Sequence, residues 1–232
     1  MKITYIFHSC FIVEIGQKVL IFDYYDGDLP KFTADKKLYF FSSHGHPDHF
    51  VEEIFHIGQA AKERKYILAE DITARPSSND EVLSVAENEI YILDGLVIHT
   101  MHSTDIGVAF LVEVDGKCIY HAGDLNWWHW DGEADAFNSQ MEADYKKEIQ
   151  KIADMHKHIH VAFVPMDQRL DYAYDYGIKY FMEHIEVEKV IPMHFFSENF
   201  EICKKVCVEN QNFEHCYGEL VPIEHLYQEF EF

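Results

Sequence analysis

The stretch that decides the fold is His44-Gly45-His46-Pro47-Asp48-His49. Its six residues carry three imidazoles and one carboxylate, separated only by glycine and proline. Imidazole and carboxylate are the usual ligands of zinc and similar divalent metals. Two histidines separated by one residue can converge on one ion from a strand end or loop, and Asp48 and His49 can then reach a second ion nearby. The stretch therefore predicts a metal centre to which the rest of the chain brings further ligands.

The whole-chain composition is that of a globular protein with ample core. The chain has 232 residues, of which 48% are hydrophobic and 26% charged. No linker rich in proline, glycine or serine and no repeat divides it, so one domain over residues 1–232 is expected. No run of eighteen apolar residues occurs, which predicts no membrane span. Five scattered cysteines favour reduced thiols and a cytoplasmic location over a disulfide framework.

The net charge of −22 restricts the partners. A surface this acidic repels phosphate backbones and anionic lipids, so neither nucleic acid nor a membrane is expected as a partner. A small anionic substrate stays compatible with this charge, because bound metal ions invert the field locally. We therefore expect a small-molecule substrate, and the sequence leaves a homo-oligomer open.

Apolar patterning predicts many short strands and four helices. The strands are expected at 2–7, 10–15, 18–23, 37–42, 65–69, 89–93, 96–101, 107–114, 117–121, 159–164, 188–192 and 220–223. The helices are expected from Pro47 to about Lys62 and at 134–156, 174–185 and 197–209. Candidate ligands follow strand ends, where functional groups usually lie: His44, His46, His102, Asp124 and His194.

The order of these ligands resembles the metallo-β-lactamase superfamily over nearly the whole chain. His44-x-His46-x-Asp48-His49 is followed by a lone His102, by Asp124 in His-Ala-Gly-Asp, and by His194 in Ile-Pro-Met-His. The opening His8-Ser9-Cys10-Phe11 is similar to a branch of small cytoplasmic hydrolases related to ascorbate-phosphate lactonase. The resemblance implies an α/β fold, the four-layer αβ/βα sandwich of the metallo-β-lactamase family.

The resemblance also implies two divalent metal ions at one edge of the sandwich. It assigns the first ion to His44, His46 and His102. It assigns the second ion to Asp48, His49 and His194, with Asp124 bridging both. Zinc is the expected metal, and manganese and iron are the alternatives, because His and Asp serve all three.

Such a centre predicts a hydrolase. A hydroxide bridging the two metals would attack a small-molecule ester, lactone or phosphodiester. Asp48 is the expected catalytic residue, because a carboxylate beside the metals can orient the nucleophile or move a proton. The alternative is an iron-dependent oxidoreductase on the same fold. The acidic charge disfavours a nuclease, and the intact ligand set disfavours a binding module without catalysis.

Two groups of residues are expected at the substrate. Arg169 would bind a phosphate or carboxylate, with an ion pair inside residues 167–171 as the alternative. Trp127 would belong to an apolar wall formed by the tryptophans at 127, 128 and 130, with packing of the helix at 134–156 as the alternative.

Other residues near the motif have two interpretations. His99 lies three residues before His102 and competes with it as a ligand; His102 is preferred because it ends a strand. Asp23 is expected either to support a metal-binding histidine or to serve as a turn residue. His8 is expected either to face the metals from the end of the first strand or to pack beneath the site.

Overall fold

Two mixed sheets of seven strands each dominate the structure, a computed structural model that describes residues 1–78, 80–196, 200–201, 203–204 and 216–232. With strands numbered in chain order, the first sheet runs β14 (Glu229–Glu231), β1 (Lys2–Phe7), β2 (Cys10–Ile15), β3 (Lys18–Phe22), β4 (Lys37–Ser42), β5 (Glu63–Ala69), β6 (Glu81–Val85). The second runs β13 (Glu219–Leu220), β12 (Val187–Met193), β11 (Ile159–Pro165), β10 (Lys117–His121), β9 (Val108–Val114), β8 (Leu96–His102), β7 (Ile90–Leu93).

Part of each sheet is parallel, and this places the site. Strands β3 to β6 pair in parallel, and so do β10 to β13, whereas the remaining pairs are antiparallel. The carboxyl ends of parallel strands meet at one edge of a sheet, where ligand sites commonly form. The loops after β4, β10 and β12 therefore begin at such edges.

Alternating side chains build the core between the sheets and a second apolar layer outside the first sheet. In β3, Leu20 and Phe22 face the core between the sheets, whereas Val19 and Ile21 belong to the outer layer. All four are fully buried, as expected for strands covered on both faces. The stacked rings of Phe11 and Phe163, 4.0 Å apart, join the two sheets.

Helices and loops cover the outer faces. The helices α1 (Asp135–Asp154) and α2 (Tyr176–His184) pack together, and α2 lies on β11 and β12. The 3-10 helix Glu52–His56 and neighbouring loops cover the first sheet. A second 3-10 helix spans Gln168–Ala173. This arrangement confirms the predicted αβ/βα sandwich. Among the described residues, no helix is long and apolar enough to cross a membrane.

The structure departs from the predicted elements at one helix and at two edge strands. The helix predicted from Pro47 to Lys62 is reduced to the 3-10 turn, since the preceding residues bend so that their side chains converge, and Gly58 has φ +67°. The edge strands β6 and β14 were not predicted, because their segments show little apolar alternation. The helix predicted at 197–209 falls mostly outside the described residues.

Candidate metal centre

Five chain segments bring imidazoles and carboxylates to one point where the sheets meet. Four of them directly follow strands, and one lies in the loop between β8 and β9. They contribute His8 after β1, the stretch 44–49 after β4, Asp105 from the loop, Asp124 after β10 and His194 after β12. Ends of strands held by two packed sheets give these side chains a rigid support.

Asp124 lies at the centre of the cluster and is almost fully buried. Its Oδ1 lies 3.1 Å from Nε2 of His49 and 3.2 Å from Nε2 of His194. Its Oδ2 lies 3.6 Å from Nε2 of His44. Each carboxylate oxygen therefore faces a different set of imidazoles, which is the arrangement that a bridging ligand requires.

The cluster around Asp124 contains five buried polar atoms that have no hydrogen-bond partner among the described residues. They are Oδ1 of Asp124 and the Nε2 atoms of His8, His44, His49 and His194. A buried polar group left unpaired costs about 1–3 kcal/mol, so five in one place need a compensating partner. The residues fit metal ions, because a cation is the partner that lone pairs of imidazole and carboxylate share.

The ligand atoms fall into two groups, each within 4.8 Å. One group joins His8, Asp48, His49 and His194. The other joins His44, His46, Asp105 and Asp124. Two groups that meet at Asp124 match a pair of ions.

Asp23 fixes the orientation of two of the histidines. It is fully buried, and its Oδ2 accepts a hydrogen bond from Nδ1 of His49 at 2.7 Å. The same oxygen accepts from Oγ of Ser43 at 2.7 Å, which leaves that hydroxyl oxygen to accept from Nδ1 of His44 at 3.0 Å. Protons on both Nδ1 atoms direct the two Nε2 atoms toward the cluster, the usual support for metal-binding histidines.

Asp167 does the same for His194. Its Oδ2 accepts from Nδ1 of His194 at 2.9 Å, and both of its oxygens accept from the guanidinium of Arg169. Burial opposes charge on this carboxyl, but the bonds from His194 and Arg169 lower its pKa to about 2. Arg169 thus forms an ion pair with Asp167, which the sequence analysis gave as the alternative to substrate binding. Its half-exposed side chain also lines the cavity described below.

Unusual backbone conformations occur at three of these residues. His8, Asp23 and His194 have φ values of +54°, +45° and +75°. Left-handed conformations at non-glycine residues are uncommon and cluster at functional sites. Gly107 also serves the site, because a Cβ there would lie 2.0 Å from the carbonyl oxygen of Ser43.

The structure does not bring His102 to the cluster. It ends β8 with its side chain half exposed and paired with Glu87. Asp105 occupies the position that the sequence analysis assigned to His102. Its Oδ2 lies 3.9 Å from Nδ1 of His46. The sequence signal that could have indicated Asp105 is a carboxylate in the short loop before Gly107. This loop approaches the backbone of Ser43 closely at Gly107.

Trp127 has the alternative role, packing of the helix, and does not line the cavity. Its ring packs against Tyr145, Tyr176 and Tyr180 beneath α1, with Nζ of Lys146 4.6 Å from the ring centre. Neighbouring residues of the same segment point the other way, and the tryptophans at 128 and 130 line the cavity in its place.

A cavity of about 310 Å³ opens onto the cluster. Side chains of the cluster form its floor, and Trp128, Trp130, Phe137 and Met141 form an apolar wall. Arg169 completes the lining, with its guanidinium 4.4 Å from the ring centre of Phe196. The volume suits a small molecule.

Metal loading should release protons. Burial opposes charge on His49 and His194, but the Asp124 carboxylate raises the pKa of both above the usual value. Protons therefore bind these two imidazoles more tightly in the metal-free protein than they bind a free imidazole, and a metal ion must compete with them. We expect a positive number of protons to be released when zinc binds, and an affinity for zinc that falls as the pH falls. Calorimetry of zinc binding in buffers of different ionisation enthalpy measures this number; zero protons would contradict it.

Comparison with known proteins identifies the family of the chain. A family model described as a beta-lactamase superfamily domain matches residues 2–138. A UPF0173 metal-dependent hydrolase of Pelotomaculum thermopropionicum is 29% identical over 144 residues, 53% of this chain and 62% of that relative. The match thus spans less than two thirds of the relative's own length.

Solved structures share the fold. Igni18, a metallo hydrolase of the archaeon Ignicoccus hospitalis, superposes with a TM-score of 0.64 at 20% identity, covering 100% of this chain and 98% of that one. CmlA, a diiron beta-hydroxylase of Streptomyces venezuelae, superposes with a TM-score of 0.61 at 13% identity, covering 100% of this chain and 54% of that one. At these identities the likeness establishes the fold alone.

Proposed function

Because this chain belongs to the metallo-β-lactamase superfamily, we propose that it is a hydrolase of small-molecule esters, lactones or phosphodiesters that uses two divalent metal ions, zinc first among them. The observation that carries the proposal is the convergence of buried, unpaired imidazole and carboxylate atoms around Asp124. Two ions bound there would supply a hydroxide nucleophile near neutral pH and stabilise negative charge on the substrate.

The chain's own residues then perform the remaining tasks. Asp48 lines the cavity with its side chain about one-third exposed, so its carboxylate can orient the nucleophile and accept its proton. Arg169, held by Asp167, can bind an anionic group of the substrate at the cavity wall. The apolar wall opposite the ligands suits a substrate with an aromatic or aliphatic group.

The test is metal analysis followed by assays of the purified protein. We expect two ions per chain, hydrolysis of an aryl phosphodiester or an aryl-substituted lactone, and loss of activity with chelator that zinc or manganese restores. Chelator should also lower the melting temperature, because ions that bind only the folded state stabilise it. Protein that holds no metal and melts unchanged with chelator would refute the proposal.

Asp105 favours one second candidate, an iron-dependent oxidoreductase. With Asp105 in place of an imidazole, the first group offers two histidines, a carboxylate and the shared Asp124. Two histidines and one carboxylate are the set typical of non-haem iron oxygenases. Protein made in iron-rich medium distinguishes the candidates: bound iron, colour and oxygen consumption with substrate would favour the oxidoreductase, whereas activity with zinc alone favours the hydrolase.

The partners follow from the same proposal. A net charge of −22 supports a small-molecule substrate over nucleic acid or anionic lipid. Cys10, Cys118 and Cys216 are free thiols, which is compatible with a cytoplasmic location. The location, the oligomeric state and the single-domain organisation stay predictions.

A further inference from the structure

We infer that His8 is a metal ligand, whose Nε2 joins Asp48, His49 and His194 at the second ion. This inference rests on the proposed two-ion centre and deepens it. It gives the second ion three imidazoles, one more than the sequence pattern assigns to it, and brings the extra imidazole from the first strand of the chain.

The hydrogen bonds of His8 fix which nitrogen faces the cluster. Nδ1 lies 3.3 Å from the carbonyl oxygen of Phe195, and since a carbonyl only accepts, Nδ1 carries the proton. Nε2 is then an acceptor in the neutral imidazole. It lies 3.6 Å from Oδ2 of Asp48, which is an acceptor as well.

Two acceptors that face each other need a cation between them. Nε2 of His8 is buried, and within the described residues no donor satisfies it. The ring lies 4.2 Å from that of His194 and 5.3 Å from that of His49, measured between centroids, so its unpaired nitrogen belongs to the same group of atoms. An ion shared with Asp48, His49 and His194 satisfies both atoms.

The backbone around His8 is built to hold this position from both sheets. His8 follows β1 in the first sheet and forms an isolated bridge with Phe195, directly after β12 of the second. Its carbonyl oxygen accepts from the N–H of His194 at 3.1 Å. Glycine or asparagine would adopt its left-handed φ with less strain, so the bend alone does not call for an imidazole.

The extra imidazole makes the two ion positions unequal. The second group has three histidines, all buried, and of these only His194 reaches the cavity wall. The first group has the exposed pair His46 and Asp105, both of which line the cavity. We therefore expect the first ion to exchange more readily and the second to be held more tightly.

A His8→Asn variant tests the inference, because asparagine tolerates the left-handed backbone but is too short to replace Nε2. Ser9→Ala is the matched control in the same turn. Both changes are made in a His160→Ala background, which dismantles the exposed group of His158, His160 and Glu188 that could hold an ion of its own. The measurements are zinc titration against a chromophoric chelator and the absorption spectrum after cobalt substitution.

We expect the His8→Asn variant to bind the first ion normally and the second at least about 10-fold more weakly, with an altered cobalt spectrum for that ion. Ser9→Ala should bind both ions normally. Unchanged binding of two ions by His8→Asn would overturn the inference while leaving the proposed function in place. A parent protein that binds no ions would instead refute the proposed function.

A second measurement needs no variant at this position. In protein with ¹⁵N-labelled histidine, filling the second position with zinc should shift the Nε2 resonance of His8 while Nδ1 stays protonated. An Nε2 resonance of His8 that does not respond to the second equivalent of zinc would overturn the inference, even if the His8→Asn variant fails to fold.

Discussion

An Asp124→Asn variant should lose tight binding of both ions and, with them, hydrolysis. The substitution keeps the size of the side chain but removes the charge that three imidazoles share. Residues that only orient ligands change metal affinity by about 10–100-fold, so loss of a shared ligand should exceed about 100-fold at each position. Metal analysis after dialysis and the rate at saturating zinc measure the two effects.

Asp154→Asn is the matched control for Asp124. It makes the same chemical change at the end of α1, away from the residues that line the cavity. This variant should keep the wild-type metal content and rate. If Asp124→Asn also retained two ions and full activity, the centre described around it would be incorrect.

Asp105→Ala should weaken the first ion at least about 10-fold and lower the rate, because it removes one of the four ligands grouped there. His102→Ala should leave metal content and rate within a factor of about two, since its half-exposed side chain pairs with Glu87. Zinc titration and steady-state rates of the two variants, measured side by side, compare the assignments directly. The reverse result would restore His102 as the ligand.

Asp105→His extends this comparison to the choice of metal. An imidazole at this position would convert the first group to three histidines and the shared carboxylate, a set that suits zinc better than iron. The variant should therefore retain zinc in preference to iron when both are supplied, relative to the parent. An unchanged ratio of bound zinc to bound iron would show that Asp105 does not determine which metal the protein binds.

The convergence of residues 44–49, Asp124 and His194 could be predicted from the sequence, because each of them directly follows a strand. The stretch 44–49 follows a buried parallel strand, and Asp124 and His194 follow two others, so their convergence follows from the edge of a sheet. The sandwich was predicted from the resemblance that these residues bear to the metallo-β-lactamase superfamily, and the burial of both faces of strands such as β3 agrees with it.

The positions of the side chains at residues 102 and 127 could not be predicted in this way. Each depended on the direction of one side chain at the place where regular structure ends, and a shift of one residue reverses that direction. His102 is the last residue of β8 and points outward, whereas the loop after it carries Asp105 back to the cluster. Trp127 packs beneath α1 while its neighbour Trp128 donates to the backbone of Asp124 at 2.9 Å.

Histidine 8 illustrates a third limit. The sequence placed it at the end of β1, but its contact with Phe195 joins residues 187 positions apart. No local pattern encodes such a pairing, because it depends on how the two sheets pack. The unpaired nitrogen that supports its assignment becomes visible only when both sheets are in place.

The bridge between His8 and Phe195 joins an early part of the chain to a late one, so the metal centre is completed only late in synthesis. A nascent chain that has released only the strands up to β6 carries His8 and the stretch 44–49 but has neither Asp124 nor His194. Such an intermediate offers a metal ion neither the shared carboxylate nor the last imidazole. We therefore expect tight capture of metal only after β12 has emerged from the ribosome.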